Sequence, residues 1–270
     1  MIPWAVRIYE DLKKCVGYIA VGNAEPFTPI GTFFFVAVGE QGAHYSYAVT
    51  ARHVIDGAIS KGYEWVVIRL NSIEGGLSLY RCRADAWIGH DDPSVDLVVH
   101  PMGIGAGNDH LLFHMNEVVD QQLMDDFQIR AGHEVFIMGL FRHHHGQRKN
   151  IPIVRVGSIA ALDEEKVQTK AYLRDALLIE CRSIGGLSGS PVFLPIEHSV
   201  MLRTKPTPPV RPPGSYLLGI VHGHFDADAS GLDWSDTGLT SDGKINTGIA
   251  IVTPVGKLVE LLGQDDVRGT

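Results

Sequence analysis

Three polar residues stand beside apolar runs of strand character. His53 lies in Thr50-Ala51-Arg52-His53-Val54, Asp96 in Val95-Asp96-Leu97-Val98-Val99, and Ser188 in Gly185-Gly186-Leu187-Ser188-Gly189-Ser190-Pro191. They occur in the order histidine, aspartate, serine, 43 and then 92 residues apart. A serine hydroxyl is a weak nucleophile until an imidazole removes its proton, and that imidazole needs a carboxylate to fix its tautomer and stabilise its charged form. Each role has a candidate here. Acyl transfer also needs two backbone N–H groups aimed at a developing oxyanion, in a turn with no room for side chains. Gly186 and Ser188 are the candidate donors.

Each residue has competitors. Asp91 and Asp92 lie near Asp96, but His90-Asp91-Asp92-Pro93 reads as a turn, where aspartate is common for local reasons. Ser183 and Ser190 lie near Ser188, yet Ser188 alone of the three has glycine both two residues before and one residue after it. An α/β-hydrolase elbow would read G-x-S-x-G with the serine first in chain order; here the fifth position is Ser190 and the best histidine comes 135 residues earlier.

The elements that must carry these residues are short strands. Apolar runs between turn signals recur at Val16–Val21, Thr32–Val38, Tyr45–Val49, Trp65–Arg69 and Leu97–His100, then at Glu134–Leu140, Ile153–Ile159, Leu177–Cys181, Pro191–Leu194, Tyr216–His222 and Gly248–Val252. This spacing, with few crossover helices, predicts an all-β chain of sandwich or barrel type. The runs fall into two clusters, giving an N-terminal β unit with a leading segment over 1–102 and a C-terminal β unit over 132–270. Between them, 103–131 is a more polar connector with a helical turn or two. One clear helix closes the chain: Thr253 as cap, Pro254 at the first helical position, and Val255, Leu258, Val259, Leu261 and Leu262 along one face up to Gly263. Two long insertions, Arg203–Tyr216 with five prolines and the aspartate-bearing His224–Asn246, interrupt the second cluster.

Composition narrows the function classes. The 270 residues are 45% hydrophobic and 20% charged, which is globular, and 30 glycines with 14 prolines favour turns over long helices. A net charge of −8 without a basic run argues against nucleic acid or an anionic membrane as partner. Cys15, Cys82 and Cys181 are an odd, scattered set with no CxxC spacing, so reduced thiols in a cytoplasmic setting are expected. The first residues carry charge where a signal peptide needs its apolar stretch, and no segment has membrane-spanning composition. His143-His144-His145 is read as a solvated hairpin tip rather than a metal site, because consecutive residues on one loop diverge. Asp226-Ala227-Asp228-Ala229-Ser230-Gly231 copies half a calcium loop but has Thr237 where the closing glutamate belongs. Neither metal nor cofactor is expected.

The motifs T-A-x-H at Thr50–His53, D-L at Asp96-Leu97 and G-x-S-G-x-P at Gly186–Pro191 resemble those of the trypsin-like (chymotrypsin-fold) serine peptidases. Gly31-Thr32-Phe33-Phe34 resembles the strand leading to the family's histidine, and Gly248-Ile249-Ala250-Ile251 with the following helix resembles its ending. The resemblance implies two six-stranded antiparallel β-barrels with a catalytic cleft between them. It makes His53 the general base, Asp96 its orienting partner and Ser188 the nucleophile, with the Gly186 and Ser188 amides as oxyanion hole. It departs from the animal enzymes in having no cysteine pair around the histidine, and Leu187 where they carry an aspartate, so activation by an inserted N-terminus is not expected. Ser188–Phe193 and Leu218–His222 look more like the bacterial glutamyl endopeptidases and the heat-shock serine peptidases, the latter without their usual PDZ domain. By the same resemblance Arg182, Ser183, His222 and His224 border the first specificity pocket, where basic and hydroxyl groups would favour an acidic side chain.

The sequence thus points to a cofactor-free serine endopeptidase acting on protein or peptide substrates through an acyl-enzyme. A latent form switched on by a protein activator or by substrate is compatible with the Gly185-Gly186 pair. The rival reading is a binding or scaffold module on the same fold.

Overall fold

In the computed structural model the described residues are 10–22, 27–40, 43–162, 165–169, 172–181, 186–196, 214–228, 244–264 and 267. The N-terminal half builds one sheet from β1 (Val16–Val21), β2 (Thr28–Glu40), β3 (Ala43–Thr50), β4 (Trp65–Asn71), β5 (Leu77–Arg83), β6 (Ile88–Gly89), β7 (Val98–Pro101) and β8 (Phe113–His114). Their order is β5-β4-β1-β2-β3-β7-β6, with β8 pairing parallel to β2. Hydrogen bonds do not close this sheet. Its two edge strands, β5 and β6, are joined by a single 3₁₀ turn, Ala84–Ala86, so the chain itself draws the edges together.

The C-terminal half is a closed six-stranded antiparallel barrel. Its members are β9 (Glu134–Gly139), β10 (Ile153–Ala161), β13 (Leu177–Glu180), β14 (Pro191–Ile196), β15 (Gly214–Asp228) and β16 (Lys244–Pro254). A separate hairpin pairs β11 (Val167–Gln168) with β12 (Leu173–Arg174). The expected all-β double-barrel arrangement is therefore present, with the first barrel curled and the second closed.

Among the described residues, three short α-helices accompany the strands: α1 (Arg52–Ile59), α2 (Gln121–Asp126) and α3 (Val255–Leu262). Helix α2 lies in the stretch expected to connect the halves, and the Asp120 carboxylate caps it by accepting the Leu123 N–H at 2.8 Å. Helix α3 starts one residue later than the sequence suggests, because Pro254 still pairs with Gly219 as the last residue of β16. Among the described residues no helix is long and apolar enough to cross a membrane. Of the two insertions, 203–213 and 229–243 lie outside the described residues, and with them most of the candidate calcium loop.

Strand alternation explains why the apolar runs are continuous. Successive side chains point to opposite faces, and both faces of the central strands are buried. Phe33 and Phe35 face the interior of the first sheet with Ile19, Ile55 and Ile68. Phe34 and Val36 face the other way, into a cluster shared with Phe136, Met138, Phe193, Leu217 and the α3 residues Leu258 and Leu261. A third cluster, including Ile137, Ile179, Val192 and Val252, fills the closed barrel. The shared cluster joins the two halves, and Phe193 stands within it, its ring 5.1 Å from Phe113 and 5.4 Å from Phe136. Truncating such a ring removes contacts on both sides at once. Phe193→Ala is expected to cost about 3–5 kcal/mol of stability, measured by urea unfolding, and a loss under about 1 kcal/mol would show that the halves are not held through this ring.

Candidate active site

His53 sits in the first turn of α1, whose apolar residues Val54, Ile55 and Ala58 pack into the first sheet. The helix lies close against β2 at Gly31, where a Cβ would press on both methyls of Val54. Ala51 offers no side-chain cap, and the N–H groups of a helix's first turn need acceptors from elsewhere. Asp96 supplies them: its Oδ1 accepts the His53 N–H at 2.9 Å and its main-chain oxygen accepts the Arg52 N–H at 3.3 Å. The helix N-terminus in turn favours the carboxylate's charge.

Asp96 precedes β7 between Val95 and Leu97, both buried in the shared cluster. Alternation therefore turns its side chain the opposite way, onto α1. Its Oδ2 meets the His53 Nδ1 at 2.7 Å, and the side chain is 6% exposed. The competitors lie apart. Asp92 accepts the Ser94 N–H at 2.8 Å within its own turn, and both Asp91 and Asp92 are exposed.

A second imidazole reaches the same oxygen. His222, on β15, places its Nδ1 against Asp96 Oδ2, and its ring stands edge-on to His53 with centroids 5.2 Å apart. Burial pushes the Asp96 carboxyl up, but the hydrogen bonds of His222 and His53 together outweigh it and hold the group well below the usual carboxylate range. The buried Arg174 brings its Nη1 to 3.3 Å from the same His222 nitrogen. His222, placed by sequence along the specificity pocket, thus directs its side chain to the carboxylate. His224 follows on β15 opposite Ala250. Arg182 and Ser183 lie outside the described residues.

Ser188 occupies a turn that two strands, β2 and β15, hold from outside and one internal bond closes. The Thr32 N–H donates to the Ser188 carbonyl at 3.0 Å, the Gly189 N–H to Val221 at 2.8 Å, and the Ser190 N–H to Leu187 at 2.9 Å. Gly189 has φ +83°, and a Cβ there would collide with the Thr32 carbonyl and the Thr50 hydroxyl, so only glycine fits. Leu187 is a core anchor of the closed barrel. Ser190 is fully buried against Gly139, whereas Ser188 is half-buried and, with Gly186 and His53, lines a cavity of about 220 Å³. Neither the Gly186 nor the Ser188 N–H has an acceptor among the described residues.

The structure brings His53, Asp96, Gly186 and Ser188 together, with one contact unmade. Ser188 Oγ donates to the His222 carbonyl at 3.2 Å, and no hydrogen bond joins it to His53. The thiols offer no rival nucleophile: burial raises Cys15 and Cys181 and pushes Cys82 up to about 11. His53, Asp96 and His222 carry ligand atoms within 4.8 Å of one another, the single metal-capable trio among the described residues. An N₂O set suits zinc, but the Arg174 guanidinium beside His222 opposes a dication there.

Thr32 went unnoticed as a positioning residue, although it lies in the motif strand Gly31–Phe34. Its hydroxyl accepts the Leu140 N–H at 2.9 Å and donates to the Gly186 carbonyl at 2.8 Å, and its carbonyl accepts the Thr50 hydroxyl at 2.7 Å.

No protein-family model matches the chain, and no curated protein is a match. Solved structures are similar. The apo MamO protease domain from Magnetospirillum magneticum aligns with TM-score 0.57 at 15% identity, over 96% of this chain and 100% of that one. Deg5 aligns with TM-score 0.53 at 16% identity, over 92% and 87%. A serine-to-alanine variant of the HtrA-type protease AlgW, solved with a decapeptide, aligns with TM-score 0.51 at 14% identity, over 95% of this chain and 65% of that one. The chain has the fold of trypsin-like serine protease domains.

Two outcomes test the geometry. Thr32→Val keeps the shape but strands the Gly186 carbonyl and Leu140 N–H, and is expected to cost about 1–3 kcal/mol in chemical denaturation; a neutral effect would mean this link is dispensable. Asp96 titrates lower folded than unfolded, so its contribution is fully present above the unfolded value of about 3.9 and is lost as pH falls toward the folded one. The melting temperature of the wild type should therefore drop more steeply than that of Asp96→Asn between about pH 5 and pH 2; parallel curves would contradict the assignment.

Proposed function

We propose that the chain is a serine endopeptidase working through an acyl-enzyme, at rest in a latent arrangement that substrate or a partner relieves. The observation that carries this reading is the double hold of one buried carboxylate on His53, through main chain and ring, with Ser188 on the wall of the same cavity. A carboxylate on Nδ1 leaves Nε2 as the free base. Once Ser188 Oγ turns toward it, Nε2 takes the hydroxyl proton as Oγ bonds to the substrate carbonyl carbon. The carbonyl oxygen becomes an oxyanion facing the Gly186 and Ser188 amides. His53 then gives the proton to the leaving nitrogen as the C–N bond breaks; water, deprotonated by His53, attacks the acyl carbon, and His53 returns that proton to Ser188 Oγ as the acyl–oxygen bond breaks and the acid leaves.

The bond from Ser188 Oγ to the His222 carbonyl supports latency. That carbonyl lies on β15, and a substrate N–H that takes it frees the hydroxyl for His53. Substrate is then part of the switch, in keeping with an equilibrium between two states biased by a ligand. A protein activator would act in the same way. The decapeptide solved with AlgW supports peptide as the ligand class.

Intact-mass analysis after a fluorophosphonate probe tests the reading. One adduct is expected on the wild type and none on Ser188→Ala, with labelling faster when a protein activator that leaves the cleft open is added. In turnover assays Ser188→Ala and His53→Ala should each lose on the order of 10⁴- to 10⁶-fold in kcat. A folded wild type that takes no adduct, with or without peptide, would favour the binding-module reading, to which the resting Ser188 contact also lends itself.

A further inference from the structure

The cavity beside Ser188 has a chemistry of its own. Its walls are apolar, from Ile30 on β2 and Val54 and Ala58 on α1, and its edge carries two cations, Lys61 just past α1 and Arg142 after β9. Among the described residues no acidic side chain lines it, and the one carboxylate of α1, Asp56, is not part of its wall. Neither cation has a carboxylate partner among the described residues, although the chain carries a net charge of −8. Arg142 is held by one bond: its Nη2 donates to the Ile30 carbonyl at 2.9 Å, and among the described residues the rest of the guanidinium fork takes no acceptor.

The cavity's side of the nucleophile follows from the same contacts. Ser188 Oγ leans on β15 through the His222 carbonyl, while the cavity extends from His53 along the next residues of α1. His53 hands its proton to the leaving nitrogen, so the chain beyond the scissile bond departs on the histidine side. The cavity is open to that half of a substrate.

Building on the peptidase reading, we infer that this cavity is a subsite for an acidic side chain, glutamate best, on the residue that follows the scissile bond. The methylenes of glutamate match the walls of Ile30, Val54 and Ala58, and its carboxylate lies between Lys61 and the Arg142 fork. Lys61 and Arg142 are then specificity residues and take no part in bond breaking.

Tripeptides with a free amino end reproduce the leaving half of a substrate, so the test does not depend on turnover. The full chain is titrated with Glu-Ala-Ala and Lys-Ala-Ala by calorimetry or chemical-shift change. Glu-Ala-Ala should bind about tenfold more tightly at low salt, the difference narrowing as ionic strength rises. The charge-swapped Lys61→Glu/Arg142→Glu chain should lose or reverse the preference, and Lys61→Gln/Arg142→Gln with an unaltered melting temperature guards against a folding defect. Equal affinity for the two tripeptides, or binding of neither, overturns the subsite. Selective binding without fluorophosphonate labelling would leave the subsite standing and remove the peptidase reading; labelling without selectivity would do the reverse.

Discussion

Much of this molecule is set by what Thr32 can hydrogen-bond. The residue is fully buried on β2 and engages its amide, carbonyl and hydroxyl with three distant segments. The amide takes the Ser188 carbonyl, the carbonyl takes the hydroxyl of Thr50 at the end of β3, and the hydroxyl bridges Leu140 after β9 to Gly186. Thr50 lies three residues before His53, so one residue, mostly through its main chain, ties the histidine's strand end to the serine's turn. In a dry site an unpaired partner is costly, which makes the alternatives to this arrangement expensive. Gly189 is the counterpart constraint, since any Cβ there would enter the space that Thr32 and Thr50 fill.

A second requirement is that the two halves cannot slide. The alternation Phe33, Phe34, Phe35 serves two cores from one strand, and Phe136 with Ile137 does so in the other half. The buried polar clamp around Asn150 adds direction to this packing. Its amide takes Asn71 Oδ1 at 2.6 Å and its Nδ2 donates to the Arg69 carbonyl at 2.7 Å, tying the loop after β9 to β4. Arg69, buried as well, donates to the carbonyls of Gly146 and Gln147 in that loop. Apolar packing supplies most of the free energy, and these directional bonds select one alignment.

The longer strands and the residues of the candidate site stand out in the sequence together: apolar runs mark the strands, uninterrupted where both faces are buried, and polar residues at their ends break the pattern. Val16–Val21 is β1 to the residue. Helix α1 was not legible, because its cap is not local; Asp96 provides it from 43 residues downstream, and Ala51 gives no signal. Strand β5 escaped because Leu77–Arg83 is half exposed along an edge and has no apolar run. The first barrel's open seam depends on the Ala84–Ala86 turn substituting for a ladder, which hydrophobic pattern does not encode. His222 was visible as a residue but not as a partner of Asp96. On a strand the choice between pocket and carboxylate turns on which face each residue presents, and the bulge between Val221 and Gly223 alters that count.

Asp96 answers several demands with two side-chain oxygens. Oδ1 serves the main chain of α1, while Oδ2 is shared by two imidazoles. A carboxylate oxygen has the lone pairs to accept twice, and the depressed titration of the group follows from the number of donors it satisfies rather than from exposure, which burial denies it. His222 then acts at both ends: its ring helps hold the carboxylate, and its carbonyl holds the Ser188 hydroxyl. Orientation of the candidate base and the resting position of the candidate nucleophile are therefore coupled through one residue of β15. A peptide pairing with that strand would compete for the carbonyl without disturbing the ring. On the peptidase proposal, that leaves the Ser188 hydroxyl to change partner while the carboxylate keeps its hold on His53.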